Sequence, residues 1–304
     1  TPWPLSDLAS LPGLKPSPRL PVVFVGHGSP MNAIEDNHWR RSWQALGQRL
    51  PRPLVQAINH PLFLQNNAAR FANFLRAQGV GRGDKVAGLL PRTAELLIVV
   101  LATWRIGAVY QPLFTAFGPK AIEQRLGCSG ARWIVTDAHN RPKLNEVTNC
   151  PIVITVEAAQ QDLGDYDFWS TLQRQSNDCE PLLQDAQAPF LLMCTSGTTG
   201  PAKPLEVPLR AILAFKGYMH DAVELRADDR FWNLADPGWA YGLYYSVTGP
   251  LALGHATLFY DGPFSVDSTC WVINKYAITN LAGSPTAFRL LISTGMEFAD
   301  SIQG

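Results

Sequence analysis

The sequence predicts an α/β protein built on a mainly parallel, doubly wound sheet. From about residue 54 onward, short apolar segments typical of buried strands alternate with segments whose apolar residues recur at helical spacing. Glycine or proline stands at the ends of several of these segments, as at Gly79, Pro91 and Gly107. A string rich in glycine and hydroxyl side chains follows one predicted strand, where open parallel sheets bind their ligands.

Each element is predicted from its own pattern. Thr93 is the expected cap of one helix, and Gly107 its stop. The predicted helices are 68–75, 93–106, 119–126, and the segments near 209–223, 242–253 and 286–294. The predicted strands are 20–25, 85–90, 109–110, 133–136, 190–194, 257–260, and the segments near 231–234 and 279–282.

The string from Thr195 to Lys203 is the most informative in the chain. Its nine residues hold two glycines, four hydroxyl side chains and a lysine, directly after the apolar strand 190–194. Glycine lets backbone N–H groups turn toward an anion, hydroxyls add donors, and lysine adds a mobile positive charge. The spacing differs from that of the Walker loop. The string therefore predicts a phosphate-binding loop, and the alternative is a surface turn of small polar residues.

Composition narrows the class of protein. A chain of 304 residues can bury one large core or two smaller ones. Its formal net charge is zero, so we expect no nucleic-acid or membrane-surface partner. The longest apolar run, 96–104, is too short to cross a bilayer, and no signal peptide is visible. Five widely spaced cysteines without a Cys-x-x-Cys pair predict reduced thiols in a cytoplasmic protein.

The string Thr195 to Lys203 resembles the phosphate-binding signature of the adenylate-forming enzymes, such as acyl-CoA synthetases, firefly luciferase and the adenylation domains of peptide synthetases. That family usually ends the motif with Lys-Gly, whereas this chain has Lys203-Pro204, and proline removes a backbone donor. The resemblance implies an incomplete N-terminal domain of the acyl-CoA synthetase type. It also implies nucleotide-binding roles for Thr195, Ser196, Gly197, Thr198, Thr199, Gly200 and Lys203.

Four further segments resemble the same family, in order along the chain: 79–91, 105–113, 236–242 and 282–286. The third resembles the loop that acetyl- and medium-chain acyl-CoA synthetases place beside the acyl pocket, and the fourth a turn near the nucleotide and the pantetheine channel. Taken alone, Trp239 and Tyr241 would be interpreted as packing residues. The resemblance instead implies a substrate pocket of Gly238, Trp239, Ala240, Tyr241, Pro285 and Thr286.

The resemblance implies a small carboxylic acid, ATP with Mg²⁺, and CoA as partners. It assigns no catalytic residue here, because the adenine-binding turn, the Tyr-Gly-x-Thr-Glu segment, the ribose-binding Asp and the catalytic Lys all come later in the family. The chain ends at 296–304, where the adenine segment should begin. We therefore expect these residues alone to be impaired or inactive, and to self-associate through apolar surface that the absent segments would cover.

The first fifty residues resemble a different family. Gly26-His27-Gly28-Ser29-Pro30, with the residues that follow to about 53, resembles the start of bacterial DOPA-type extradiol dioxygenases, in which this histidine ligates a metal. The family's next histidine context is absent, and one histidine cannot make a site that needs about three protein ligands. We interpret His27 as an orphan, with metal ligation as the weaker alternative.

The resulting hypothesis is a chain of two domains, a dioxygenase-like fragment at 1–53, whose proline-rich leader at 1–20 is expected to be disordered, and a partial AMP-binding domain at 54–304. A gene rearrangement and an error in sequence assembly would each produce this arrangement. Three functions stay open: an AMP-forming acyl-CoA synthetase, a non-catalytic phosphate- or nucleotide-binding fragment, and a metal-dependent extradiol dioxygenase.

Overall fold

The computed structural model describes residues 23–24, 61–157, 163–195, 203–262 and 264–293. Helices and strands alternate along it, which confirms the predicted α/β class. The strands are β1 (Val23–Phe24), β2 (Lys85–Leu89), β3 (Val109–Pro112), β4 (Trp133–Thr136), β5 (Ile152–Thr155), β6 (Tyr166–Asp167), β7 (Pro189–Thr195), β8 (Lys203–Pro208), β9 (Phe231–Asn233), β10 (Thr257–Leu258) and β11 (Asn280–Ala282). The helices are α1 (Pro61–Ala77), α2 (Ala94–Arg105), α3 (Pro119–Ser129), α4 (Phe168–Gln173), α5 (Ala211–Asp221), α6 (Ala240–Gly242), α7 (Gly249–Ala252), α8 (Val266–Tyr276) and α9 (Pro285–Ser293), with a 3₁₀ helix at Arg141–Glu146 and a π-helix at Leu243–Thr248.

The chain divides into two compact units, each with its own sheet. The seven-stranded unit comprises Leu62–Phe215 and Asp236–Thr248. The four-stranded unit comprises Lys216–Ala235 and the described residues from Gly249 onward, together with β1. The segment Asp236–Thr248 therefore belongs to the seven-stranded unit, although residues of the other unit flank it on both sides.

The seven-stranded sheet has the order β6-β5-β4-β2-β3-β7-β8. Its neighbouring strands are parallel except for the antiparallel pair of β7 and β8, which confirms the predicted mainly parallel sheet. Every residue of β3 and β4 is buried, as expected for parallel strands covered on both faces. The strand β8 forms an edge, and only Val207 among its residues is fully buried.

The four-stranded sheet has the order β1-β10-β9-β11. The strands β10, β9 and β11 run parallel, and β1 pairs antiparallel with β10 through Val23 opposite Leu258. One small core of this unit contains Trp232, Leu258, Val272 and Ile273. Since the structure describes only Val23 and Phe24 before Pro61, the predicted domain boundary at residues 53 and 54 stays a prediction.

Several regions differ from the sequence prediction. The elements β5, β6, α4 and α8 were not predicted, and α1 begins at Pro61 rather than at residue 68. The expected helix at 242–253 is interrupted by the π-helix, in which the Thr248 hydroxyl donates to the Leu243 carbonyl over 3.0 Å. Pro250 follows at once and has no N–H to donate to the preceding turn. The edge strand β8 was not predicted, because Pro204 and Pro208 at its ends obscure a strand pattern that only an edge tolerates.

The predicted helix limits are confirmed more closely. The helix α2 begins after Thr93, although the Thr93 side chain makes no capping hydrogen bond. It ends before Gly107, whose φ of 75° is a left-handed conformation that glycine adopts without strain. Among the described residues, the helices are too short or too polar for any of them to cross a membrane.

Candidate functional site

The predicted phosphate loop begins and ends on two paired strands. Thr195 is the last residue of β7, Lys203 is the first residue of β8, and the two are register partners. The Thr195 hydroxyl donates to the Lys203 carbonyl over 3.4 Å, and both residues are exposed. Both ends of the string are therefore fixed opposite each other as the base of a hairpin. The loop residues Ser196, Gly197, Thr198, Thr199 and Gly200 lie outside the described residues.

Pro204 has a clear place in this hairpin. It lies on β8, the edge strand of the seven-stranded sheet, and pairs with Cys194 of β7. An edge strand leaves some of its backbone N–H groups without a ladder partner, so a residue that lacks one is tolerated there. The replacement of the usual Lys-Gly by Lys203-Pro204 therefore fits an edge strand that starts at the lysine.

Sheet topology brings the hairpin to the same edge as the loop after β3. The strands β3 and β7 are parallel neighbours, with Tyr110 opposite Leu191. Phe114 follows Tyr110 by the same number of residues as Thr195 follows Leu191. Because parallel strands end at one edge of the sheet, both residues are delivered to the carboxyl edge, where α/β sheets bind ligands.

Three aromatic rings cluster at this edge. Phe114 and Phe117 lie 5.4 Å and 5.3 Å from Trp239, and 5.5 Å from each other, measured between ring centroids. The Arg125 guanidinium lies over the Phe117 ring at 4.0 Å, within cation–π range. Trp239 keeps 45% of its surface exposed. Its neighbours therefore hold the indole while one side stays accessible to a ligand.

Two glycines allow the segment Asp236–Gly242 to pack closely. A Cβ on Gly238 would lie 2.5 Å from the Phe114 Cα and 2.8 Å from its nitrogen. A Cβ on Gly242 would lie 2.0 Å from the Asp236 carbonyl oxygen. Both contacts are with backbone, which cannot move aside as a flexible side chain can. Gly238 therefore packs directly against the backbone of Phe114, which follows β3. Gly242, at the end of the segment, packs directly against the carbonyl of Asp236, at its start.

A half-buried acidic group lies at the start of this segment. The Asp236 Oδ1 accepts a hydrogen bond from the Gly238 N–H over 2.7 Å. Burial raises the pKa of the Asp236 carboxyl, which the Gly238 hydrogen bond and the positive charge of Arg92 lower in part. Burial and, second, the charge of Asp236 raise the pKa of the Tyr110 phenol. The Tyr110 hydroxyl lies across β2 where Gly88 leaves room, since a Cβ there would be 2.2 Å from it.

Tyr241 belongs to a second aromatic group. Its ring meets that of Tyr245 at 5.1 Å, edge to face, and the Tyr245 ring lies 5.9 Å from Phe215. Phe215 also stacks on Tyr244 at 4.3 Å. Tyr244 and Tyr245 are consecutive residues of the π-helix. Ala240 begins α6 directly before Tyr241 and is half-buried.

Pro285 and Thr286 lie in the four-stranded unit, at the first turn of α9, and both are exposed. The Ser284 hydroxyl accepts from the Ala287 N–H over 3.2 Å and so caps the helix. The preceding Gly283 lies against Leu234, where a Cβ would be 3.2 Å from that side chain. The structure thus brings together Thr195, Lys203 and the Gly238–Tyr241 segment in one unit, and places Pro285 and Thr286 in the other.

His27, which we interpret as an orphan with metal ligation as the alternative, lies outside the described residues. Within the described ranges, no three His, Cys, Asp or Glu side chains stand close enough together to hold a metal ion. All five cysteines are free thiols. Burial raises the pKa of the Cys194 thiol beside the loop, only partly offset by a hydrogen bond from Gln111, so this thiol stays protonated at neutral pH.

Sequence reasoning missed several residues that shape the site: Arg92, Phe114, Phe117, Arg125 and Asp236. Phe114 and Phe117 follow a predicted strand, and this position in the sequence could have predicted that they lie at the carboxyl edge of the sheet. Asp236 opens the turn Asp-Pro-Gly, which favours a side-chain hydrogen bond to the backbone two residues later. The contact of Arg125 with Phe117 has no such signal, because it depends on how α3 packs.

Comparison with known proteins agrees with this geometry. The sequence model of the family described as "AMP-binding enzyme" matches residues 64–303. The acetyl-coenzyme A synthetase of Syntrophus aciditrophicus is 33% identical over 256 residues, which cover 77% of this chain and 40% of the relative. That of Syntrophobacter fumaroxidans is 34% identical over 254 residues, covering 76% and 39%. The chain thus spans about 40% of the length of these relatives.

Among solved structures, the Brucella canis acyl-CoA synthetase is 55% identical and superposes with a TM-score of 0.76, over 79% of this chain and 44% of that one. An anthranilate CoA ligase, AuaEII, solved with anthranoyl-AMP, is 20% identical with a TM-score of 0.71 over 78% and 46%, and shares the fold. The parallel sheet, the Gly/Ser/Thr hairpin at its carboxyl edge and the match over most of the chain establish that this protein belongs to the AMP-binding enzyme family.

Proposed function

We propose that the chain is part of an AMP-forming acyl-CoA synthetase, which activates a small carboxylic acid with ATP and transfers the acyl group to CoA. The observation that carries the proposal is the hairpin of β7 and β8, which fixes Thr195 and Lys203 at the two ends of a Gly/Ser/Thr loop. Its place at the carboxyl edge of a parallel sheet suits a phosphate-binding loop. The names of the similar proteins, acetyl-coenzyme A and acyl-CoA synthetases, support the same assignment.

The proposed reaction has two steps. A carboxylate oxygen attacks the α-phosphorus of ATP, the bond to the bridging oxygen breaks, and pyrophosphate leaves. The CoA thiol then attacks the acyl carbon, loses its proton, and AMP leaves. The protein's part is to align two anions and to offset their charge. Lys203 and the donors of the loop would bind the β- and γ-phosphates, with Mg²⁺ bound to the same oxygens.

The acid would bind beside the Gly238–Tyr241 segment. Tyr241 is half-buried and edge-on to Tyr245, so its ring forms a rigid wall rather than a mobile lid. Trp239 offers an exposed aromatic face beside it. Pro285 and Thr286, in the four-stranded unit, are proposed to contact the nucleotide and the pantetheine arm of CoA.

The test is ATP-dependent hydroxamate formation, with Mg²⁺, hydroxylamine and acids from acetate to octanoate, by the chain co-expressed and purified with the remaining part of a relative. Lys203→Ala should abolish product, and Lys275→Ala should not, because Lys275 lies on α8 with its ammonium 5.7 Å from the Trp271 ring. Equal activity in Lys203→Ala and wild type would exclude the proposed role of the loop.

The main alternative is a fragment that binds phosphate or nucleotide without turnover. These 304 residues span about 40% of the relatives' length, so we expect a polypeptide of this length alone to form little or no hydroxamate. ATP binding that Lys203→Ala removes, without product, would favour this alternative. Product restored by co-expression with the remaining part of a relative would favour the synthetase.

Two further proposals concern the rest of the chain. Exposed apolar side chains on α8 and α9, among them Trp271, Leu290 and Ile292, support self-association of this polypeptide, and a monomer in light scattering would exclude it.

The dioxygenase-like origin of residues 1–53 rests on the resemblance around His27 alone. Stoichiometric iron or zinc that His27→Ala removes would support a metal site there, and metal-free protein would exclude it.

A further inference from the structure

We propose that Asp236 is a positioning residue, whose side-chain oxygen holds the Gly238–Tyr241 segment in the conformation that binds the carboxylic acid. The acid-binding part of this inference rests on the proposed function. The positioning part rests only on contacts within the seven-stranded unit.

Asp236 contacts its own segment at three points. Its Oδ1 accepts from the Gly238 N–H over 2.7 Å, and its carbonyl accepts from the Trp239 N–H over 3.0 Å. The same carbonyl lies against Gly242, where no side chain fits. One residue therefore fixes both ends of the segment that carries Trp239 and Tyr241.

The segment in turn lies on the chain after β3. Gly238 contacts the Phe114 backbone so closely that a Cβ would be 2.5 Å from its Cα. Trp239 then packs on Phe114 and Phe117, at 5.4 Å and 5.3 Å between ring centroids. If Gly238 were released from Asp236, the indole would lose the backbone conformation that directs it onto these rings.

The surroundings favour an acceptor at this position. Asp236 is close enough to Arg92 and Tyr110 for its charge to interact with both, and burial raises the pKa of its carboxyl. The carboxyl is half-buried, and an acceptor that is partly shielded from water and loses its donor carries part of its desolvation cost unmet, which favours the Gly238 hydrogen bond. The proposal requires a side-chain oxygen that accepts from the Gly238 N–H and lies as far from the backbone as the Oδ1 of aspartate does.

Two variants separate the oxygen from the charge. Asp236→Asn keeps an oxygen at the same distance and removes the charge, whereas Asp236→Glu keeps the charge and moves the oxygen one methylene away. Asp236→Ala removes both. A matched control is Asp185→Ala, because the Asp185 Oδ1 accepts from the Gln187 N–H over 2.7 Å in the same two-residue pattern on an exposed turn.

Hydrogen exchange resolved at the Gly238 amide tests positioning without any activity. Exchange should be about tenfold faster or more in Asp236→Ala and Asp236→Glu, and within about threefold of wild type in Asp236→Asn. Wild-type exchange in Asp236→Glu together with fast exchange in Asp236→Asn would overturn the proposal in favour of charge. This comparison still decides if Asp236→Ala does not fold.

The hydroxamate assay tests the acid-binding part. The KM for the acid should rise about tenfold in Asp236→Glu while the KM for ATP stays within about twofold, and Asp185→Ala should change neither. Equal rises in both constants would make Asp236 a general structural residue and overturn the positioning role. No product from the wild-type chain co-expressed with the remaining part of a relative would instead count against the proposed function, and the exchange experiment would still decide positioning.

Discussion

The two candidate substrate segments are held by different kinds of contact. In the segment Gly238–Tyr241, Trp239 packs on Phe114 and Phe117, which lie far earlier in the chain. Tyr241 packs on Tyr245 of the π-helix. Pro285 and Thr286 lie on an exposed helix end whose one capping contact comes from Ser284, next to them in sequence. A shape set by packing needs particular residues at each contact, whereas a shape set by a local cap needs only the cap.

The largest effect expected from this difference is at Gly242. Gly242→Ala would place a Cβ 2.0 Å from the Asp236 carbonyl oxygen, and overpacking against backbone should lower the free energy of unfolding by about 3 kcal/mol. Urea denaturation measures this. Gly127→Ala is the control, since no atom lies within 4 Å of its added Cβ on α3, and it should raise stability by about 0.5–1 kcal/mol. A wild-type urea midpoint in Gly242→Ala would contradict the packing argument.

The next effect concerns acid selection. Tyr241→Ala should shift the preference among acids in the hydroxamate assay toward longer chains by about 2 kcal/mol, or roughly thirtyfold, because this variant removes the ring that we propose as a wall of the acid pocket. Tyr241→Phe keeps the ring and should keep the preference. Thr286→Ala, in the other segment, should leave it unchanged. A similar shift from Thr286→Ala would erase the distinction between the two segments.

A smaller effect appears at alkaline pH. The pKa of the buried Tyr110 phenol is raised above its ordinary 10.0, so the folded state holds this proton more tightly than the unfolded chain does. The resulting stability is complete below pH 10.0 and is lost as pH rises, by at most about 1.4 kcal/mol per pH unit. Urea denaturation at several pH values from 9 to 11 measures this. The free energy of unfolding should fall less steeply with pH in Tyr110→Phe than in wild type.

Tyr276 provides the comparison in the four-stranded unit. Burial alone raises the pKa of its half-buried phenol, whereas Tyr110 is fully buried and also interacts with Asp236. Tyr276→Phe should therefore change the alkaline slope less than Tyr110→Phe does. The reverse order would show that the site end of the seven-stranded unit is not the more tightly packed region.

The smallest effect is at the cap of α9. Ser284→Ala removes the acceptor of the Ala287 N–H and should destabilise this helix by about 1 kcal/mol, seen as faster hydrogen exchange at Ala287. Ser293→Ala, which removes a hydroxyl that donates to the Leu290 carbonyl at the other end of α9, should leave that amide within about twofold of wild type. Unchanged exchange in Ser284→Ala would mean that packing, and not the cap, fixes Pro285 and Thr286.

Much of the fold could be predicted because its signals are local. The strand at 133–136 was predicted with the bounds that the structure has, and α2 begins after Thr93 and ends before Gly107 as expected. A buried parallel strand is a continuous apolar run, and a left-handed stop favours glycine whatever surrounds it. The π-helix at Leu243–Thr248 was missed, since its apolar residues also suit an α-helix.

The sequence by itself determined the α/β class, the mainly parallel sheet and the Gly/Ser/Thr string that ends at Lys203, because these depend on composition and spacing within short segments. Only the tertiary structure decided that Lys203 begins an edge strand opposite Thr195, and that Asp236–Thr248 returns to the seven-stranded unit. It alone brought Trp239 onto Phe114, and Asp236 near Tyr110 and Arg92. Such contacts join residues far apart in the chain, and their energies depend on geometry that no local pattern specifies.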